Sequence, residues 1–192
     1  MTFRKLGFPP EYSVYFLFLS LLGSYVNIPI KKVKLQHAPI ISDRKNNFHL
    51  SDEAALPIEN KRNTFIEVNI GGAVIPAVMS GILYTMVGPI KVLIGIFIMT
   101  FIIHKIAKPV KGSGIVIHAL LPPILAAAVA FIISPQDAPI IAYISGTLGC
   151  LIGIDLLNLK KIPDLEMKVI SIGGAGTFDA IFLTGIISVL LA

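Results

Sequence analysis

Two aspartates interrupt the apolar C-terminal third of the chain. Asp155 lies in the run Leu151-Ile152-Gly153-Ile154-Asp155-Leu156-Leu157-Asn158, and Asp179 closes Gly173-Gly174-Ala175-Gly176-Thr177-Phe178-Asp179. A carboxylate inside a membrane-spanning helix costs about 2.5 to 3.5 kcal/mol on insertion scales, so each is a candidate functional group. Two carboxyls about 3 Å apart share one proton, because like charges that close cannot both ionise. One can then activate a water while the other donates to a carbonyl, which is hydrolytic chemistry. A carboxylate working alone can instead take up and release a proton or a cation. Around the pair, Asn69, Gly71, Gly72, Asn158, Ser171, Gly173, Gly174, Gly176 and Thr177 form the candidate substrate- or ion-binding set. No residues stand at metal-ligand spacing, so no metal is expected, and no motif implies a cofactor. His104 reads as interfacial, His118 as a packed polar group, and Asp137, in Pro135-Gln136-Asp137, as a solvated loop residue. Cys150 is alone in an apolar stretch and supports no disulfide framework.

Positioning these groups falls to strongly apolar elements. The chain of 192 residues is 55% hydrophobic and 14% charged, with a mean hydropathy of +0.83. A soluble domain carries about 25% charge. Six stretches meet or approach the length of a membrane span, roughly 12–30, 65–88, 90–104, 113–133, 138–158 and 169–192. Pro89 divides the second from the third, which suggests a tight hairpin. Of sixteen Lys and Arg, thirteen fall in the 31–63, 105–111 and 159–168 loops, and only Arg4, Lys5 and Lys91 fall on the other side. By the positive-inside rule those loops are cytoplasmic and both termini are outside. The basic residues set topology, and without aromatic interleaving they do not suit nucleic acid. Arg4 and Lys5 precede an apolar run with no Ala-x-Ala cleavage signal, so that run is expected to be a retained span.

The expected fold is therefore an all-α bundle of six spans in one domain, several of them broken or kinked. Asn27-Ile28-Pro29, the Asn69–Ala73 stretch before Pro76, and Pro122-Pro123 in mid-span four all break helical bonding, and such backbone persists in a bilayer only where protein or water satisfies it. In span five, Ser145, Gly149 and Gly153 make a small-residue ridge for close helix approach. Asp155, about 200° round from Gly153, then faces away from that ridge, with Asn158 one turn further on. Val68-Asn69-Ile70-Gly71-Gly72-Ala73 is echoed by Ile170-Ser171-Ile172-Gly173-Gly174-Ala175, a parallel repeat in this topology. The basic 31–63 loop is too polar for a core of its own, although its alternating ends, Lys32–Leu35 and Phe65–Asn69, could pair as a short ribbon.

The string Gly174-Ala175-Gly176-Thr177-Phe178-Asp179-Ala180-Ile181-Phe182 resembles the Gly-x-Gly-Asp motif of the presenilin and signal-peptide-peptidase group of intramembrane aspartyl proteases. That resemblance assigns Asp155, on the preceding span, as the second catalytic acid beside Asp179. It departs from the pattern in three places. Thr177-Phe178 intervene before the acid, Ile154 stands where a tyrosine precedes the first aspartate, and no Pro-Ala-Leu motif follows. On a straight helix Asp179 lies about 16 Å past Lys168, while Asp155 lies about 7 Å before Lys160, so a bend at the glycines is required to level them. Over nearly the whole chain, the sequence also resembles a family of small archaeal and bacterial membrane proteins of unknown function. Three roles follow in order of expectation. The first is an intramembrane aspartyl protease cutting a transmembrane peptide, the second a proton- or cation-coupled transporter or channel, and the third a noncatalytic membrane scaffold. The bilayer is the expected partner in all three.

Overall fold

A computed structural model describes residues 10–34, 63–165 and 167–192. Most of the basic 31–63 loop, with Arg44, Lys45, Lys61 and Arg62, lies outside the described residues, as do Arg4 and Lys5. Among the described residues, six α-helices occupy the six apolar stretches: α1 (Pro10–Gly23), α2 (Ile75–Tyr84), α3 (Pro89–Ile106), α4 (Leu121–Ile133), α5 (Ala138–Cys150) and α6 (Phe178–Leu191). Proline opens α2 through α5, since its missing N–H is no loss in a first turn. Pro122 and Pro123 thus start α4 instead of kinking it in mid-span.

The all-α expectation holds in part: helix predominates, and short strands join it. Strands β1 (Asn27–Lys34), β2 (Asn63–Asn69) and β5 (Val169–Ile172) form one sheet, and β3 (Lys108–Val110) pairs with β4 (Gly114–Val116) in a hairpin. β1 and β2 run antiparallel from Asn27↔Asn69 to Lys34↔Asn63, which is the ribbon the alternating ends allow. β5 joins β2 in parallel, Phe65 facing Val169 and Val68 facing Ile172. Ends of four expected spans (12–30, 65–88, 113–133 and 169–192) are therefore strand, and the helices shorten to match. Among the described residues, only Pro89–Ile106, of 18 residues, and Ala138–Lys161, of 24, are long and apolar enough to cross a membrane by length and composition. The latter is not one regular helix. It passes from α5 into a π-helical turn (Leu151–Asp155) and then a 3₁₀ segment (Leu156–Leu165).

α5 is the central helix, flanked by α2, α3, α4 and α6. Its ridge packs as the spacing requires. A Cβ on Gly149 would strike Met99 of α3, and one on Gly153 would meet the Thr100 carbonyl oxygen at 2.9 Å and the His104 nitrogen at 3.1 Å. Ser145 stands opposite Gly95 in the same seam. Across α5, Gly146 takes Thr184 of α6 and Ala126 of α4 against its backbone. Small residues let the helix axes close, and dispersion attraction between the backbones is the return. Outward, α3 shows a wholly apolar face, with Ile90 72%, Leu93 55%, Phe97 75% and Phe101 59% exposed.

Candidate carboxylate site at two glycine elbows

Two strands enter the bundle side by side and turn into helices. β2 leads through a π-helical turn (Ile70–Val74) into α2, and β5 leads through a tight turn at 173–177 into α6. In the first elbow, Asn69 caps the π-turn, its Oδ1 accepting from the Gly72 N–H at 2.8 Å. The Ile75 N–H reaches back to the Ile70 carbonyl in the five-residue step of a π-helix. Pro76 has no N–H for the Gly71 carbonyl, and the Ser20 hydroxyl of α1 donates to it at 2.6 Å. In the second elbow, Gly173 (φ 69°) and Gly176 (φ 98°) hold left-handed backbone that side chains rarely adopt. Both glycine-rich stretches are departures from regular helix.

The elbows touch. A Cβ on Gly72 would run into the Gly173 carbonyl oxygen and the Phe178 ring, so glycine at 72 and 173 is what allows the two backbones to cross. This gives the sequence echo a physical meaning, although the ladder runs two residues out of step with it. Asn27 binds the elbows from β1: its Oδ1 accepts from Ser171 Oγ at 2.6 Å and from Asn69 Nδ2 at 3.0 Å. Asn69 Nδ2 also donates to the Ser24 carbonyl at 2.7 Å.

Asp155, the last residue of the second π-turn, is buried beneath this crossing. Its Oδ2 accepts from the Gly173 N–H at 2.7 Å and from the Thr177 hydroxyl at 3.3 Å. The Thr177 hydrogen is shared, since the Gly174 carbonyl also lies 3.3 Å away. Oδ1 accepts no hydrogen bond among the described residues. One oxygen is thus fixed by the elbow while the other is left to take a proton or a ligand. As the ridge geometry requires, Asp155 faces α6 and Gly153 faces α3.

Asp179 is placed differently. It lies in the exposed first turn of α6 and has no hydrogen bond or ion pair to Asp155 among the described residues. Two positions after Thr177, it lies about 200° round the helix from the residue that touches Asp155. The elbow does bend the chain at its glycines, and Thr177 at its end is in contact with Asp155. Ala175 and Gly176 belong to the turn and not to the helix, so they do not line Asp179's face. Asn158 turns away from Asp155. Its Nδ2 donates to the Gly153 and Ile154 carbonyls at 3.0 and 2.8 Å, because the π-turn and 3₁₀ segment shift the 3.6-residue phase. The structure therefore brings Asn69, Gly71, Gly72, Ser171, Gly173, Gly174, Gly176 and Thr177 to the elbows with Asp155, and leaves Asp179 and Asn158 outside that contact set.

Asn27, read from sequence as part of a helix break and as a polar partner for transport beside Asn69 and Ser171, joins the elbows. Sequence reasoning missed Ser20, which replaces the bond lost to Pro76 and whose only signal was a polar residue in an apolar stretch. The two histidines exchange their expected roles, His118 being exposed and His104 half-buried and bonded. Asp137 is bonded to Lys91 Nζ at 2.8 Å and to Ser134 Oγ at 3.1 Å, not merely solvated. Among the described residues no cluster of His, Cys, Asp or Glu could hold a metal ion.

No curated protein and no solved structure matches this chain. A family model described as a protein of unknown function, DUF1614, matches residues 21–191, which includes both elbows, both acids and every helix except α1, of which it takes in only the last turn. On that coverage the chain belongs to the DUF1614 family of proteins of unknown function.

Proposed function

We propose that this is a polytopic membrane protein in which Asp155 binds a proton or a cation, in a transporter or channel. The observation that carries the reading is the state of the Asp155 carboxyl, with Oδ2 clamped by Gly173 and Thr177 and Oδ1 without a hydrogen bond among the described residues. Broken helices that present backbone to a buried acid are how transporters build ion sites near mid-membrane. Membrane placement is supported by the two long apolar helices and by the uninterrupted apolar face of α3. The exposed Lys31, Lys32, Lys105, Lys108, Lys160 and Lys168 flank the sheet and hairpin, while Lys91 pairs with Asp137 between α4 and α5. The first group belongs to the cytoplasmic side in this reading, with both termini outside.

The test is flux through purified protein in vesicles loaded with a pH-sensitive dye, under an imposed Na⁺ or K⁺ gradient. Wild-type protein carries proton or cation flux above empty vesicles, Asp155→Asn abolishes it, and Asp179→Asn keeps most of it. Absence of flux from wild-type protein, or full flux from Asp155→Asn, defeats the proposal. The aspartyl protease is the second reading, favoured by Thr177 contacting Asp155 only two residues before Asp179. It requires cleavage of a transmembrane reporter peptide that either aspartate's replacement removes as completely as the double change, since a dyad acts as one unit.

A further inference from the structure

His104, in the last turn of α3, lies on the opposite side of α5 from the elbows. Its Nδ1 lies 3.2 Å from the Gly153 carbonyl oxygen. A carbonyl only accepts, so Nδ1 carries the hydrogen and, in the neutral ring, Nε2 carries the lone pair. Asn158 Nδ2 spends its two hydrogens on the Gly153 and Ile154 carbonyls, so its 3.4 Å approach to Nδ1 is a packing contact. Gly153 therefore receives two side-chain donors on one carbonyl, from α3 and from the 3₁₀ segment. α3 can approach it this closely only because it is glycine, since a Cβ there would meet the His104 backbone nitrogen at 3.1 Å and the Thr100 carbonyl oxygen at 2.9 Å. Gly153 and Asp155 belong to the same five-residue π-turn. A π-turn widens the helix by one residue and is stable only where its surroundings hold it.

We infer that His104 is a positioning residue for Asp155: by clasping the Gly153 carbonyl from α3, it fixes the π-turn that aims the carboxylate at Gly173 and Thr177. The inference rests on the reading of Asp155 as the working carboxylate, and it assigns His104 no contact with the transported species. His104 acts through backbone on one side of the helix, and the acid answers on the other.

Hydrogen exchange of the full chain in lipid nanodiscs tests this, because the Gly173 N–H reports directly on its bond to Asp155. His104→Ala should speed exchange at Gly173 about tenfold while the α5 stretch 138–148 stays protected. His104→Asn, whose amide places a donor where Nδ1 stood, should restore protection to within about twofold. Asp155→Ala should raise Gly173 exchange by itself, and His104→Ala added to it should raise it no further, since the two changes act on one contact. Unchanged protection in His104→Ala overturns the inference, as does an additive double change. If His104→Ala loses protection throughout, the isosteric pair of His104→Asn and His104→Asp decides. A protected Gly173 in the donor variant and an exposed one in the acceptor variant support the inference, and equal protection overturns it. Absence of wild-type flux with a His104-dependent Gly173 would sink the transport reading and leave the positioning role standing.

Discussion

At the scale of single residues, the two aspartates are chemically equivalent in sequence and distinct in place. Asp155 accepts two hydrogen bonds in a buried setting, and Asp179 is exposed at a helix start. Asp155→Ala strands the Gly173 N–H, and a buried donor left without a partner costs about 1–3 kcal/mol. Unfolding in mixed detergent micelles should register that loss, with Asp155→Asn milder because an acceptor oxygen survives, and Asp179→Asn within about 0.5 kcal/mol of wild type. Asp137 gives a pH test. The Lys91 ammonium, with the Ser134 hydroxyl, holds its carboxyl below the usual carboxylate range. The folded-state pKa is thus depressed, so the pair's stabilisation is present above the unfolded value of about 4 and is lost as pH falls through the folded one. Both partners are partly exposed, so solvent screening keeps the contribution below about 1 kcal/mol. The stability difference between wild type and Asp137→Asn, measured from pH 7 downward, should shrink to nothing in acid.

At the scale of elements, the elbows explain why two glycines of the same apolar stretch differ in consequence. Gly72 has the Gly173 carbonyl against it, whereas Gly81, in α2, has open space where a Cβ would go. Gly81→Ala should stabilise the protein by about 0.4–1 kcal/mol, through a less flexible unfolded chain and better helix propensity. Gly72→Ala should destabilise it by about 1–3 kcal/mol, because overpacking pushes backbone from backbone. Thermal melts of the two variants in one detergent check both signs. Equal effects would mean that the strands do not cross at Gly72 and Gly173. The same elements account for what periodicity could not provide. A stretch such as 169–192 reads as one apolar run, yet its first residues are drawn into a ladder with β2, more than a hundred positions earlier in the chain. Pairing between segments so distant in sequence leaves no mark on the local pattern of either.

At the scale of the whole molecule, the prediction concerns sidedness. Cysteines introduced at Lys108 and at Gln136 should label from opposite faces of a sealed membrane, and background from Cys150 will be low because that thiol is buried. Labelling of both from one face would refute the six-crossing topology. Apart from Lys91, the described lysines gather around the sheet and hairpin, where Gly112 N–H donates to the Leu165 carbonyl and Thr64 donates to the Met167 carbonyl. These bonds join the three basic segments into one end of the molecule, with Asp155 and the elbows just inside it.

By itself the sequence determined the apolar stretches, the prolines and glycines that break them, and the small-residue ridge of α5. Each follows from composition or from a 3.6-residue period, so each is local. The β1–β2 ribbon was legible in alternating residues on either side of the basic loop. Tertiary structure alone decided that β5 joins β2, that Gly72 and Gly173 cross, and that Thr177 and the Gly173 N–H, not Asp179, hold Asp155. The reason is that the elbow has left-handed backbone at Gly173 and Gly176, and the π-turn before Asp155 adds a residue to its helix. Both alter the angular phase on which any projection from sequence depends, and only the packing around them fixes the result.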